Sequence, residues 1–130
     1  KKEQIGVHAD VLELPHANVV LLDSGKRGVV EDKQLSWLAQ QLDDRKEKPA
    51  LVFAHYNPLP THGIRPIRGM KNGKALLKLI ATRKHAKAFF HGHTHEWQQS
   101  VEGSIHIITT TCQLLLWQRT CPWLGGYEAY

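Results

Sequence analysis

The stretch Ala50-Leu51-Val52-Phe53-Ala54, followed by His55-Tyr56-Asn57-Pro58, decides the fold of this 130-residue chain. The five apolar residues predict a short strand buried on both faces of a sheet, and the Pro- and Gly-rich loop after them marks the end of that strand. A comparable arrangement lies downstream, where the apolar run 86–90 ends in His91-Gly92-His93-Thr94-His95. Ligands of open α/β sheets bind beyond the carboxyl ends of the strands, so both histidine segments are predicted to occupy binding positions.

The remaining segments complete an α/β pattern. The apolar run 18–23, ended by Ser24-Gly25, predicts a buried strand. Leucines at 35, 38 and 42 predict a helix that ends at about Arg45, with Glu31 or Asp32 as its N-cap. A second helix is predicted over 74–85, and a hairpin is predicted over 97–110. The order β-α-β-α-β followed by an antiparallel β-meander predicts a parallel or mixed sheet with crossover helices and antiparallel strands packed beside it.

Length and composition limit the alternatives. A chain of 130 residues and 14.8 kDa is at most one domain, expected over 1–130, and its 42% hydrophobic share excludes a disordered tail. It is too short for an eight-stranded α/β barrel and has no apolar run long enough for a membrane-spanning helix. We expect a cytoplasmic protein, because no signal segment opens the chain and Cys112 and Cys121 are too few for a disulfide scaffold. Whether these two cysteines are bonded to each other stays open. The chain begins with Lys1 instead of Met, so a truncated or processed product is one interpretation.

The net charge of +5 is unevenly distributed. From Lys48 to His95 the chain has nine Lys and Arg residues and no Asp or Glu, whereas the rest has eight basic and twelve acidic residues, or −4. Such a basic block attracts anions, although the spacing of Lys71, Lys74 and Lys78 also fits an ordinary solvated helix face. Nucleic acid is not the expected partner, because no stacking aromatic residues are interleaved with these charges.

His93 and His95 are the most selective pattern among the nine histidines. They follow a strand and a glycine, and in extended backbone residues i and i+2 project to the same side, so both imidazoles are predicted to face one pocket. Neutral imidazole is a ligand for Zn, Fe, Mn or Co. A solvated loop is the alternative interpretation, and His91 is interpreted as a strand-end residue.

Four ordered blocks of sequence, together with two C-terminal signatures, resemble a known family. The segment 19–97 resembles the C-terminal half of the calcineurin-like metallophosphoesterases, with the closest likeness to the bacterial Icc-like (class III) cyclic-nucleotide phosphodiesterases. The blocks are 21–25, 34–38, 48–58 and 89–95, and the two signatures are 110–113 and 125–127.

The resemblance implies an α-β-β-α sandwich with two divalent metal ions, Mn, Fe or Zn, at the strand ends. It also implies hydrolysis of a phosphodiester or phosphomonoester, such as a cyclic nucleotide, by a metal-activated water. On the matching positions, His55 and His93 would bind one metal and His95 its neighbour. Tyr56 stands where many relatives carry a second histidine, so Tyr56 and Asn57 are candidate substrate contacts, with simple packing as the alternative for Tyr56.

The departures from the family limit this expectation. The Asp-x-His, Gly-Asp and Gly-Asn-His motifs of the family's first half do not occur here, so no catalytic residue is assigned within this chain. The chain therefore resembles the distal half of a metal-dependent hydrolase and is expected to have little or no activity alone. The alternative is a non-catalytic, degenerate phosphoesterase scaffold or partner-binding module. Because half a sandwich exposes a sheet, self-association or pairing with a missing N-terminal half is also predicted.

Overall fold

The structure is a computed structural model of the chain and describes residues 9–109 apart from 26, 63 and 65. The two cysteines, Arg65 and the signatures at 110–113 and 125–127 lie outside the described residues. Within the described part, no helix is long and apolar enough to cross a membrane. The elements are β1 (Asp10–Glu13), β2 (Asn18–Leu21), α1 (Asp32–Asp43), β3 (Ala50–Ala54), α2 (Gly73–Ala81), β4 (Ala86–His91), β5 (Gln99–Glu102) and β6 (Ile105–Thr109).

These strands form one six-stranded sheet in the order β1-β2-β3-β4-β6-β5. The four central strands, β2, β3, β4 and β6, are parallel, and the edge strands β1 and β5 are antiparallel to their neighbours. The crossovers through α1 and α2 step in the same direction along the sheet, so right-handed connections place both helices on one face. The carboxyl ends of the central strands share one edge, and that edge carries His55 and the segment 91–95.

The α/β class, both helices and the hairpin are confirmed, with differences in detail. The sequence does not predict β1, because Asp10 and Glu13 enclose only two apolar residues and the strand is held mainly by pairing with β2. The hairpin extends the same sheet through parallel pairing of β6 with β4, instead of packing beside it as a separate meander. Glu31 is the N-cap of α1 but makes no side-chain capping bond, and the first predicted strand ends at Leu21.

The core lies between the helices and one face of the sheet. Val20, Val52 and Phe89 come from three adjacent strands, and with Leu38 of α1 and Ile80 of α2 they are at most 1% exposed. Burial of such side chains stabilises the fold by roughly 1.5–3 kcal/mol each. The α2 helix therefore fixes the position of the strand ends from which the histidine segments leave.

The opposite face of the sheet is apolar but less covered. Leu21, Phe53 and Phe90 are aligned across β2, β3 and β4, and the two phenylalanine rings stack with centroids 4.6 Å apart. Leu12 and Leu21 are 48% and 37% exposed. This face is the structural basis for the prediction of self-association, which stays a prediction.

Candidate metal centre

The backbone joins the two histidine segments. Ala54 ends β3 and is paired with His91, which ends β4. One residue further, the Gly92 amide donates a hydrogen bond of 3.0 Å to the His55 carbonyl. This bond continues the pairing beyond the strands and fixes the separation of the loops that follow. The predicted meeting of the segments at one sheet edge is confirmed.

His93 and His95 lie on left-handed backbone, with φ of 65° and 57°. Few residues other than glycine adopt this region, although histidine is several-fold enriched there. The Thr94 amide donates a 2.7 Å hydrogen bond to the Gly92 carbonyl, which closes a three-residue turn around His93. The prediction that extended backbone orients these histidines is therefore wrong, because a tight turn does so.

The rings of His55, Tyr56 and His93 form a contact cluster. Ring centroids are 5.3 Å apart for His55 and His93, 4.3 Å for Tyr56 and His93, and 5.2 Å for His55 and Tyr56. The Tyr56 amide donates a 3.1 Å hydrogen bond to the Ser24 hydroxyl. Gly28, with a φ of 64°, lies in van der Waals contact range of the Tyr56 ring. Three strand ends thus position the cluster.

Helix α1 also supports this edge of the sheet. The Gln34 side chain exchanges two hydrogen bonds with the backbone of Asp23, at 2.7 and 2.8 Å. Asp23 directly precedes Ser24, so the blocks 21–25, 34–38 and 48–58 are joined in space. Sequence reasoning identified these blocks but missed the contribution of Ser24, whose only signal is its place directly after the apolar run 18–23.

Two imidazoles of this segment, His91 and His93, have a pKa below the ordinary value of 6.5. Burial lowers the pKa of His93, and the neighbouring His55 and His95 imidazoles lower it further. Burial also lowers the pKa of His91, while its hydrogen bond to the Gly92 carbonyl opposes that effect. Only an unprotonated ring nitrogen binds a metal, so a lowered pKa prepares His93 for that role.

His91 is a structural strand-end residue in its observed contacts. It is 6% exposed, and its Nδ1–H donates to the Gly92 carbonyl at 3.0 Å. With the proton on Nδ1, Nε2 accepts from the Thr109 hydroxyl at 3.3 Å. Both ring nitrogens thus tie β4 to neighbouring backbone and to β6.

The two candidate substrate contacts occupy different environments. Asn57 is 1% exposed, and its Nδ2 donates to the carbonyls of Leu59 at 2.7 Å and Arg68 at 3.3 Å. Its Oδ1 is buried and makes no hydrogen bond within the described residues. Tyr56 is half-buried and contacts His93. Substrate contact stays a prediction for both residues, and the position of Tyr56 suits it better.

The donor set fits part of a metal centre. His55 and His93 bring two imidazoles close enough for one cation. The hydroxyl of Thr94, the next residue along the chain, is buried without a hydrogen bond in the described part of the chain. Over the described residues, however, no three His, Cys, Asp or Glu side chains are grouped so that they could hold a metal ion. His95 is exposed and acts on His93 electrostatically. The three-histidine ligand set stays a prediction.

Sequence comparison relates the chain to phosphodiesterases. No protein-family profile matches it. The 3',5'-cyclic adenosine monophosphate phosphodiesterase CpdA of Pseudomonas aeruginosa is 31% identical over 110 residues, which cover 78% of this chain and 40% of that protein. The glycerophosphodiester phosphodiesterase GpdQ of Enterobacter lignolyticus is 37% identical over 71 residues, or 53% of this chain and 25% of that protein. The chain thus spans less than half the length of these relatives.

Structural comparison gives the same fold. A dimetal phosphatase from Danio rerio matches with a TM-score of 0.65 and 18% identity, over 79% of this chain and 48% of that one. A putative 5'-nucleotidase from Staphylococcus aureus matches with a TM-score of 0.52 and 15% identity, over 80% of this chain and 24% of that one. At these identities the likeness establishes the fold alone. The chain is therefore related in sequence to bacterial cyclic-nucleotide phosphodiesterases, and its resemblance to part of a calcineurin-like metallophosphoesterase is confirmed.

Proposed function

We propose that the complete protein is a metal-dependent phosphoesterase whose substrate is a phosphodiester such as a cyclic nucleotide. The observation that carries the proposal is the approach of His55 and His93, with ring centroids 5.3 Å apart at the ends of neighbouring parallel strands. The kinship to CpdA over 110 residues supports the substrate class.

In this proposal the chain supplies imidazole ligands. His55 and His93 would hold one divalent cation, Mn, Fe or Zn, and His95 would hold a second one beside it. When bound, such a pair lowers the pKa of a bound water and stabilises the charge that develops on a phosphate ester. The lowered pKa of His93, caused first by burial, keeps its ring nitrogen free for a cation at neutral pH.

The other residues of this edge bind and orient. Tyr56 contacts both rings and would limit how His55 and His93 turn, and it offers a phenol to a bound ester. The basic block 48–95 would raise the local concentration of an anionic substrate, because no carboxylate within it opposes the field.

The proposal assigns the activity to the complete protein. A paired centre needs a carboxylate that bridges the two metals, and the family motifs that supply it are missing from this sequence. We therefore expect the 130-residue chain to bind metal weakly and to hydrolyse bis(p-nitrophenyl) phosphate or cyclic AMP at a negligible rate.

Calorimetric titration of the chelator-treated chain with Mn²⁺ or Zn²⁺ tests the ligand assignment. His93→Ala should weaken binding at least about tenfold, or about 1.4 kcal/mol. His16→Ala is the matched control, because His16 is exposed in the turn between β1 and β2. Equal affinities for the two variants would contradict the assignment.

A non-catalytic scaffold is the second candidate function. The observation in its favour is that, over the described residues, no three potential ligands are grouped to hold a metal. The coding sequence upstream of Lys1 separates the two candidates. Asp-x-His and Gly-Asn-His motifs there support the enzyme, and an upstream sequence without them supports the scaffold.

A further inference from the structure

A groove lies along α2, away from the histidine cluster. The loop after β3 forms one wall, α2 forms the floor and the β5–β6 turn forms the other wall. Its volume is about 680 Å³, within the range of small-molecule sites. None of the residues that line it belongs to the set His55, His93 and His95. The lining residues include Leu59, Pro60, Lys74, Leu77, Lys78 and Glu102.

The loop wall approaches α2 closely at Pro58 and Leu59. A Cβ at Gly73 would lie 1.7 Å from the Pro58 carbonyl oxygen, and one at Gly69 would lie 2.6 Å from the Leu59 backbone, so only glycine permits these approaches. The Asn57 amide donates to the Leu59 carbonyl from beneath. A preformed wall lowers the ordering cost of binding a ligand.

The hairpin wall lies in ordinary van der Waals range of the end of α2. A Cβ at Gly103 would lie 4.0 Å from the Cβ of Ala81, at the last turn of α2. The register of the hairpin pairs Glu102 with Ile105, whose side chain is fully buried. Glu102 therefore stands on the helix side of the sheet, facing the lysines across the groove.

Within the described residues, no ion pair satisfies the charges of the groove. Lys74 and Lys78 are one helical turn apart and exposed, and the only ion pairs among the described residues are Arg45–Glu13 and Arg83–Asp43. The basic block supplies no acid on either α2 or the loop wall. Between these charges lie the apolar side chains of Leu59 and Leu77.

We infer that this groove binds a small amphipathic organic anion. Its acid group would lie between Lys74 and Lys78, its apolar body would pack on Leu59 and Leu77, and a donor at its far end would reach Glu102. Two like charges on α2 favour an anion, and the apolar surface of Leu59 and Leu77 disfavours one that is charged throughout. This site is independent of the proposed phosphoesterase centre.

Two fluorescent probes with nearly the same rings test the inference. 8-Anilinonaphthalene-1-sulfonate carries a sulfonate, and N-phenyl-1-naphthylamine is neutral. The 130-residue chain should bind the sulfonate at least about tenfold more tightly at low salt, and added salt should reduce that difference because exposed charges are screened. Equal affinity for the two probes would overturn the inference.

Charge reversal locates the site. Lys74→Glu with Lys78→Glu should weaken sulfonate binding at least about tenfold and leave the neutral probe unchanged. Lys71→Glu with Lys84→Glu is the matched control, since both residues are exposed members of the same basic block that do not line the groove. Equal losses in the two double variants would show a field effect only and refute the site.

Amide chemical shifts separate this groove from the open sheet face, which also attracts apolar probes. Sulfonate binding should shift the amides of 74–81 and 102–103 in the chain. Shifts confined to Leu21, Phe53 and Phe90 would show that the probe covers the sheet face, and they would overturn the inference. Circular dichroism of every variant checks that the fold is kept.

Discussion

Left-handed backbone at His93 gives a prediction that separates strain from chemistry. His93→Ala and His93→Gly both remove the imidazole, but only alanine keeps a Cβ at φ 65°. That Cβ costs roughly 1–2 kcal/mol in the left-handed region, and the greater chain entropy of glycine when unfolded costs about 0.5–1 kcal/mol. We therefore expect His93→Gly to be more stable than His93→Ala by about 0.5–1 kcal/mol.

Urea unfolding of the metal-free chain, followed by circular dichroism, measures this difference. The pair of double variants with alanine or glycine at both His93 and His95 should differ by about 1–2 kcal/mol, because both positions have positive φ. His62 is the control, since it is exposed and is not among the described positive-φ residues, so glycine there should be less stable than alanine. Alanine variants at His93 as stable as the glycine variants would refute strain at this turn.

Three further predictions concern the scaffold. Burial lowers the pKa of His91 below its ordinary value of 6.5, so the unfolded state takes up a proton first as the pH falls. The stability that neutral His91 contributes is therefore fully present above pH 6.5 and is lost progressively below it. His91→Gln should flatten this pH dependence in urea titrations with chelator from pH 7.5 to 5.5. Gly73→Ala should lower the free energy of unfolding by about 3 kcal/mol or more in the same assay, because the new Cβ would collide with the Pro58 backbone. Gly103→Ala is the control and should cost only about 1 kcal/mol, since its Cβ has room. Equal costs would contradict the packing argument. Light scattering should show that the chain associates at high concentration. The double variant Leu21→Lys with Val101→Lys should associate less, because these apolar residues are 37% and 56% exposed. A monomer at every concentration would refute the prediction of self-association.

The sequence predicts the central strands and the edge that gathers the histidines because both depend on local patterns. An apolar run such as 50–54 has few alternatives to a buried strand, and in a parallel sheet the residue after each strand must lie at the carboxyl edge. His55 and His93 follow from that argument without any knowledge of side-chain packing. The kinship to CpdA supports the phosphodiester chemistry that we propose for the complete protein.

Features that depend on pairing or on backbone torsion are harder to predict. β1 has no hydrophobic pattern of its own and exists because β2 offers a free edge. The parallel partner of β6 is decided by competition among strands, so the hairpin pattern alone does not reveal it. The positive φ at His93 and His95 is uncommon for residues with a Cβ, and no pattern in the sequence predicts it.

The turn at 92–95 is where local preference and tertiary structure disagree most. Glycine would satisfy φ of 65° and 57° without strain, yet histidine occupies both positions while a glycine, Gly92, stands beside them. Hydrogen bonds from Gly92 to His55 and from Thr94 to Gly92 hold the strained conformation in place. Such conformations cost about 1–3 kcal/mol each and persist only where the surroundings over-determine them, most often at functional sites. Strain at two alternate histidines, with a third imidazole fixed beside one of them, is therefore a stronger argument for a ligand role than the Gly-His-x-His pattern by itself.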